Sequence, residues 1–286
     1  MPAIGRAALI EGLGRLPLVG GFVRRRGWYP WRHQWVLWFG RRENVTFTQF
    51  LRLPRQYEVL CGPVVDFLRP ADAKEPLRIL IFGCSNGAEP VSIASTLMTR
   101  RPDLDFTIVA TDIEPAMVEK GAGGRYTRSE LDMMATLDPA FVAATFIERD
   151  GAFEVRPEIR ARISFRIADV LDDDVARLGP ADLVVAQNFL YHLSRGQARR
   201  AFAHVRAAMK PRSALLLDGM DIDLRQSLTR QAGLEPLDCM IADIHADSAV
   251  LRGPAWPWTY WGLEPFDVRR RDWRRRYATI YLRNDG

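Results

Sequence analysis

Cysteine is scarce in this sequence. The 286 residues include three cysteines, Cys61, Cys84 and Cys239, and no two of them form a CxxC pair. Cysteines so few and so widely spaced predict neither a zinc site nor a disulfide framework. We therefore expect no bound metal and a reducing compartment, for which the cytoplasm is the simplest choice.

Long apolar runs are missing as well. No stretch of about 18 uncharged apolar residues occurs, so the sequence predicts no membrane-spanning helix. The most apolar N-terminal stretch, residues 7–23, contains Glu11 and Arg15 and lacks the charge order of a secretion signal. Hydrophobic residues at 48% and charged residues at 26% are typical of a globular protein and exclude a disordered chain.

Positive charge is concentrated at the two ends of the chain. Residues 1–60 contain ten arginines and three glutamates, and residues 269–286 contain seven arginines and two aspartates. These ends together carry more positive charge than the whole chain, whose net charge is +5, so the middle is acidic. This distribution argues against a nucleic-acid-binding surface spread over the chain, and we expect no nucleic-acid partner.

Short apolar runs alternate with helical patterns from residue 77 to residue 232. Pro90 lies in the first turn of one such pattern, and the capping-box pair Ser194 and Gln197 begins another. The apolar runs predict buried strands at 78–83, 106–112, 163–169, 182–188, 213–219 and 277–283. Strands that alternate with helices predict an α/β, doubly wound fold with a mostly parallel sheet covered on both faces.

Sheets of this kind bind ligands at the carboxyl ends of their strands. The loop after the first strand has two glycines, Gly83 and Gly87, but not the G-x-G-x-x-G phosphate motif. Asp112 ends the next strand, where a carboxylate accepts both ribose hydroxyls; capping the following helix is its alternative role. A nucleoside ligand without a phosphate grip favours S-adenosylmethionine, whose sulfonium suits an acidic chain centre.

Several stretches resemble the motifs of the CheR-type methyltransferases, which methylate glutamates of bacterial chemoreceptors. Upstream, TFTQFLRLPRQYEVL at 46–60 is similar to the T-x-F-F-R-D helix of this family. The other four motifs follow in the family's order: GCSNGAEPVSIAS after the first strand, ATDIEPAMVEKGAGGRY at 110–126, FIERDGAFEVRPEIRARISFRIADVL at 146–171 and ADLVVAQNFLYHLSRGQARRAFAHVRAAMKP at 181–211. The resemblance implies a class I methyltransferase, Rossmann-like, with a seven-stranded sheet and S-adenosylmethionine as cofactor.

The same resemblance implies roles for individual residues. Glu89 would hold the amino group of the methionine part, and Asp112 the ribose. Asp169 and Val170 would hold the adenine. The rest of the implied cofactor site consists of residues in the first loop and at a later strand end: Gly83, Cys84, Ser85, Gly87, Gln187 and Asn188.

Residues of the upstream motif complete the site that the resemblance implies. Thr46, Thr48 and Arg52 would close over the cofactor, with Arg52 near the methyl group and the acceptor. A glutamate acceptor, with a pKa of about 4.3, is already a nucleophile at neutral pH and needs no general base. It does need a cation that aligns it, and the two parallel donors of Arg52 suit a carboxylate. Without that motif, Arg52 would be interpreted as a surface arginine of an amphipathic helix.

Four positions depart from the family pattern. Asp169 stands where the family usually has Asn, a change that still allows cofactor binding because a carboxylate can accept from the adenine amino group, and Thr46 replaces a frequent Asn. Gln187 replaces an Arg, and this loss of a cation points to an altered acceptor side. His192 stands where the family has Tyr, next to Tyr191. A histidine suits an acceptor that must lose a proton, or it hydrogen-bonds below the site, and both interpretations stay open.

We therefore expect an S-adenosylmethionine-dependent protein-glutamate O-methyltransferase. Its partner would be a glutamate-bearing protein, such as a receptor or another signalling protein. One alternative is a methyltransferase of a small-molecule hydroxyl or amine, with His192 as base. Another is a non-catalytic regulator that binds the cofactor, or has lost it, and uses its Trp/Arg-rich ends for a partner.

The predicted domain organisation has two parts. Residues 1–70 would form a Trp/Arg-rich helical segment with the upstream motif, and residues 71–286 the catalytic domain. A small β-subdomain is expected at about 140–163, and a Trp/Pro-rich insertion at about 242–275. The insertion either roofs the acceptor pocket or packs against the N-terminal tryptophans.

The N-terminal tryptophans recur at near-helical spacing among basic residues. They are Trp28, Trp31, Trp35 and Trp38. Such a face either packs on the catalytic domain or contacts a partner or a membrane surface.

Overall fold

The computed structural model describes residues 48–70, 75–133, 136–248 and 264–285. The strands in these ranges are β1 (Leu77–Phe82), β2 (Phe106–Asp112), β3 (Arg125–Tyr126), β4 (Phe146–Arg149), β5 (Ala152–Val155), β6 (Ile163–Ile167), β7 (Ala181–Gln187), β8 (Met209–Asp218), β9 (Glu235–Pro236) and β10 (Ile280–Asn284). Seven of them form the main sheet in the order β6–β2–β1–β7–β8–β10–β9. Pairing is parallel except at β10, which is antiparallel to β8 and β9.

This sheet confirms the predicted α/β fold and each of the six predicted strands. The bounds differ most at β8, which begins at Met209 rather than at Ser213, and at β10, which begins at Ile280 rather than at Tyr277. Tyr277 ends a short helix that begins at Trp273, and its hydroxyl donates a 2.9 Å hydrogen bond to the carbonyl of Pro265. The seventh strand, β9, has two residues, too few for a periodic pattern to show in the sequence.

Helices cover both faces of the sheet. They are α1 (Pro54–Val59), α2 (Val65–Leu68), α3 (Ala88–Arg100), α4 (Pro115–Gly123), α5 (Arg128–Leu131), α6 (Pro139–Thr145), α7 (Pro157–Arg160), α8 (Arg195–Ala207), α9 (Ile222–Gln231), α10 (Ile241–Asp247) and α11 (Trp273–Tyr277). Within β1, Ile79 and Ile81 join one buried cluster while Leu80 joins another, because successive side chains of a strand point to opposite faces. Ile93 of α3 lies in the first cluster and Val205 of α8 in the second, so these helices lie on opposite faces.

Residues 48–53, which directly precede α1, are not helical, and this corrects the expectation of a helix over residues 46–60. Residues 48–53 are irregular, and the helix begins at Pro54. Proline suits the first position of a helix but disfavours helical geometry at the residue before it. Leu53 accordingly has φ −128° and ψ 79°, and Leu51 has φ +46°. Arg52 therefore lies on an irregular segment just before the helix.

A second, three-stranded sheet has the order β3–β5–β4. Its aromatic side chains hold the irregular segment in place. The ring of Phe50, which is fully buried, lies edge-on to Tyr126 at 5.1 Å and to Phe146 at 5.4 Å between centroids. Residues on either side of Phe50 are thereby fixed beside the main sheet.

Some sequence predictions concern residues outside the described ranges. Thr46 and the four N-terminal tryptophans are among them, as are residues 249–263 of the predicted Trp/Pro-rich insertion. Across the described ranges, no helix combines the length and the apolar character that crossing a membrane requires. The same ranges contain no cluster of three or more His, Cys, Asp or Glu side chains suited to a metal ion.

Candidate functional site

The loop between β1 and α3 turns sharply. Gly83, Ser85 and Gly87 all have positive φ, at 71°, 47° and 90°. A Cβ atom on Gly87 would lie 2.9 Å from the Cα atom of Gly121 and 3.0 Å from the hydroxyl oxygen of Tyr126. Gly87 is therefore required both by the backbone conformation and by the close approach of α4.

Asp112 connects this loop to the end of β2. Its Oδ2 accepts a 2.7 Å hydrogen bond from the backbone N–H of Ser85, and its Oδ1 accepts a 3.0 Å bond from that of Glu114. The helix-capping alternative for Asp112 is wrong, because Glu114 is the residue that precedes α4. The carboxylate instead joins the ends of β1 and β2.

A cavity opens at the carboxyl ends of β1 and β7. It brings together seven residues of the predicted site: Thr48, Arg52, Gly83, Ser85, Glu89, Gln187 and Asn188. Three further residues line it that sequence reasoning missed: Gln49, Tyr57 and Phe189. Gln49, Tyr57 and Phe189 lie within the motif stretches, and the available signal for two of them was adjacency, since Gln49 follows Thr48 and Phe189 follows Asn188.

Glu89 and Arg52 are the charged side chains among the residues that line this cavity. Burial raises the pKa of Glu89 to about 7, although the guanidinium of Arg52 opposes that rise. Burial also raises the pKa of Tyr57, as does the negative charge of Glu89. The charge of Arg52 lowers the pKa of both Glu89 and Tyr57, so the guanidinium lies within electrostatic reach of each.

Gln187 is held by a buried chain of hydrogen bonds. Its Nε2 donates to Oε1 of Gln56 at 3.0 Å, and Nε2 of Gln56 donates to the hydroxyl of Thr279 at 2.9 Å. All three residues are at most 9% exposed. Because Gln56 lies four residues after Arg52, this chain also fixes the segment that carries the arginine.

The predicted adenine-binding residues follow β6, beside β2. The N–H of Ala168 donates to the carbonyl of Asp112 at 3.0 Å, which places Asp169 next to that strand end. Oδ1 of Asp169 accepts a 2.9 Å bond from the N–H of Leu171, and the carbonyl of Val170 lies 2.8 Å from Nδ1 of His204. Neither Asp169 nor Val170 lines the cavity described above.

Tyr191 and His192 belong to a short 3₁₀ turn, Leu190–His192, after β7. Their rings lie 4.1 Å apart between centroids. Neither residue lines the cavity. Burial raises the pKa of Tyr191, and the positive charge of Arg52 partly opposes that rise. Cys84 is also outside the lining; it is buried, and burial raises the pKa of its thiol.

The main sheet, with one antiparallel strand, and the acidic residue that ends β2 define a class I methyltransferase fold of the Rossmann-like kind. The sequence profile of the CheR methyltransferase, SAM binding domain, matches residues 46–227, and the chain belongs to this family.

Similar curated proteins carry related names. The chemotaxis protein methyltransferase of Listeria innocua is 26% identical over 178 residues, 62% of this chain and 66% of that protein. Chemotaxis protein methyltransferase 1 of Pseudomonas aeruginosa is 31% identical over 177 residues, 59% and 64% of the two chains. The probable biofilm formation methyltransferase WspC of Pseudomonas putida is 27% identical over 193 residues, 66% and 44%. The chain thus spans less than two thirds of the length of these relatives.

Proposed function

We propose that this protein transfers the methyl group of S-adenosylmethionine to a glutamate carboxylate of a protein partner. One observation carries the proposal. Arg52 and Glu89 face a single cavity whose floor is the glycine-containing loop that Asp112 holds at the strand ends. The family and the names of the chemotaxis relatives support the same reaction.

The residues present fit the cofactor. Glu89 offers a carboxylate to an ammonium group inside the cavity, and the positive φ of Gly83 lets the backbone approach a ligand closely. Each oxygen of Asp112 has a second lone pair and can accept a ribose hydroxyl. Asp169 lies beside that strand end, where it would accept a hydrogen bond from the adenine amino group. The cofactor supplies an electrophilic methyl group on a sulfonium.

Arg52 serves the acceptor. The bound cofactor would supply the methyl group, which a glutamate carboxylate held by Arg52 would accept on an oxygen as the S–CH₃ bond breaks and its electron pair stays on sulfur. No proton is transferred, so the step needs alignment rather than a base. The guanidinium fork of Arg52 holds a carboxylate through two parallel hydrogen bonds and fixes its direction of attack.

The alternative acceptor chemistry has less support. A hydroxyl or amine acceptor would need His192 within hydrogen-bonding reach, yet its ring lies against Tyr191, tilted by 53°, and His192 is outside the cavity lining. If glutamate is the acceptor, we expect His192→Phe to change kcat less than about threefold. A fall of about a thousandfold would instead assign a base to His192.

Labelling tests the function directly. Purified protein would be incubated with methyl-tritiated S-adenosylmethionine and a lysate of the source cells, and the labelled proteins then treated with mild base. We expect volatile methanol, because carboxyl methyl esters hydrolyse in base, and labelling about a hundredfold slower with Arg52→Ala. Base-stable label would contradict the glutamate assignment. If calorimetry detects no heat of binding at millimolar S-adenosylmethionine, the enzymatic function is contradicted altogether.

A further inference from the structure

Phe189 lines the cavity, and none of the roles proposed above uses it. Two of the residues that line the cavity are aromatic. Tyr57 is buried, with 5% of its surface exposed. Phe189 is only half-buried, and it lines the cavity while it also packs against the buried core.

The backbone holds Phe189 in one place. Asn188 has φ +61°, and its N–H donates to the carbonyl of Asp218 at 3.2 Å. The carbonyl of Phe189 accepts from the N–H of His192 at 3.0 Å. A Cβ atom on Gly83 would lie 2.7 Å from Cδ1 of Phe189, so the ring packs directly on the first glycine of the loop.

The cavity lining offers fewer negative groups than the cofactor has positive ones, and an aromatic ring can attract the remaining positive charge. A cofactor with an ammonium and a sulfonium brings two positive charges, and Glu89 is the acid among the residues that line the cavity. Arg52 adds a third positive charge. The face of an aromatic ring carries negative electrostatic potential and attracts a cation within about 6 Å, most strongly where water is excluded.

We propose that Phe189 is a specificity-determining residue that attracts the sulfonium of S-adenosylmethionine through its ring face and thereby distinguishes the cofactor from the demethylated product. The proposal rests on the proposed function only for the identity of the cofactor. S-Adenosylhomocysteine has the same adenosine and amino acid groups but a neutral sulfur. Glu89 and Asp112 therefore serve both ligands, whereas the ring favours the charged one.

Calorimetry with the two ligands tests this role. The readout is the ratio of the Kd of S-adenosylhomocysteine to that of S-adenosylmethionine. In Phe189→Leu we expect the cofactor to bind about tenfold more weakly and the product less than twofold more weakly, so the ratio falls. Phe189→Tyr keeps the aromatic face and should keep the ratio.

Fluorinated phenylalanines keep the proposal testable if the leucine variant does not fold. Incorporation of 4-fluoro-, 3,5-difluoro- and 3,4,5-trifluorophenylalanine at position 189 removes negative potential from the ring with little change of shape. The ratio should fall stepwise along this series. Equal weakening of both ligands, or an unchanged ratio, overturns the role of Phe189. A wild-type protein that binds neither ligand contradicts the proposed function instead.

Discussion

Asp112 accepts a 2.7 Å hydrogen bond from the backbone N–H of Ser85. This bond joins the end of β2 to the loop after β1, so one carboxylate shapes the loop whose residues Gly83 and Ser85 line the cavity, although Asp112 itself does not line it. The other carboxylate oxygen accepts a hydrogen bond from the N–H of Glu114, so the carboxylate has a fixed orientation before any ligand binds. Preorganisation of this kind lowers the entropic cost of binding.

Replacing Asp112 should weaken the binding of both the cofactor and the demethylated product. Asp112→Ala removes two hydrogen bonds to a charged acceptor, so we expect folding stability to fall by about 1–3 kcal/mol. We also expect no detectable binding of either ligand at 1 mM. Asp112→Asn keeps one carbonyl oxygen and should retain measurable but weaker binding. Calorimetry and urea unfolding would measure these effects. Binding of wild-type strength in the alanine variant would contradict the role of Asp112.

Arg52 should affect turnover more than cofactor binding. Without its fork the acceptor is not aligned, so Arg52→Ala should lower kcat by about a hundredfold while the Kd of the cofactor changes less than threefold. Arg52→Lys should be nearly as slow, because an ammonium does not hold a carboxylate bidentately. Arg55→Ala is the matched control, since Arg55 pairs with Asp247 and does not line the cavity. Equal loss of binding and turnover would remove the acceptor role.

The fold could be predicted because its strands are continuous apolar runs. Residues 79–82 of β1 are buried on both faces, so the apolar composition of this run indicates a central parallel strand. The ends of such strands also point to Gly83 and Asp112 as neighbours, and the structure places their loops together. Local order along the chain was sufficient for both inferences.

Other parts of the site depend on contacts between distant segments. The bond between Gln187 and Gln56 joins residues 131 positions apart, and that between Gln56 and Thr279 joins residues 223 positions apart. No local pattern signals either pair. The position of Phe189 against Gly83 depends on the positive φ of Asn188, which a sequence does not reveal for a residue other than glycine.

Gly87→Ala should damage the loop. The substitution places a Cβ atom 2.9 Å from backbone of Gly121 and forces a non-glycine residue to φ +90°, so we expect a loss of about 2–3 kcal/mol in urea unfolding. Gly123→Ala is the control: Gly123 ends α4, and its Cβ would meet nothing within 4 Å. That variant should be unchanged or up to about 1 kcal/mol more stable. Similar losses in both would contradict the packing argument.

Glu89 should give stability and binding opposite dependences on pH. Its pKa is about 7 in the folded protein, above the usual value of about 4.3, so between these values the folded state holds a proton that the unfolded state releases. The free energy of unfolding attributable to Glu89 therefore falls as pH rises from about 4 to 7. Glu89→Gln should remove this slope in urea unfolding, whereas Glu58→Gln, at an exposed position of α1, should retain it.

Cofactor binding should become tighter as the pH rises from 6 to 8. An ammonium group is held by the ionised form of Glu89, so the Kd of S-adenosylmethionine should be about tenfold higher at pH 6 than at pH 8. His192→Phe, which removes the histidine beside Tyr191, serves as a second background in which the dependence should persist. Calorimetry across this range measures it. A pH-independent Kd, or one whose dependence survives Glu89→Gln, would show that Glu89 does not hold the ammonium group.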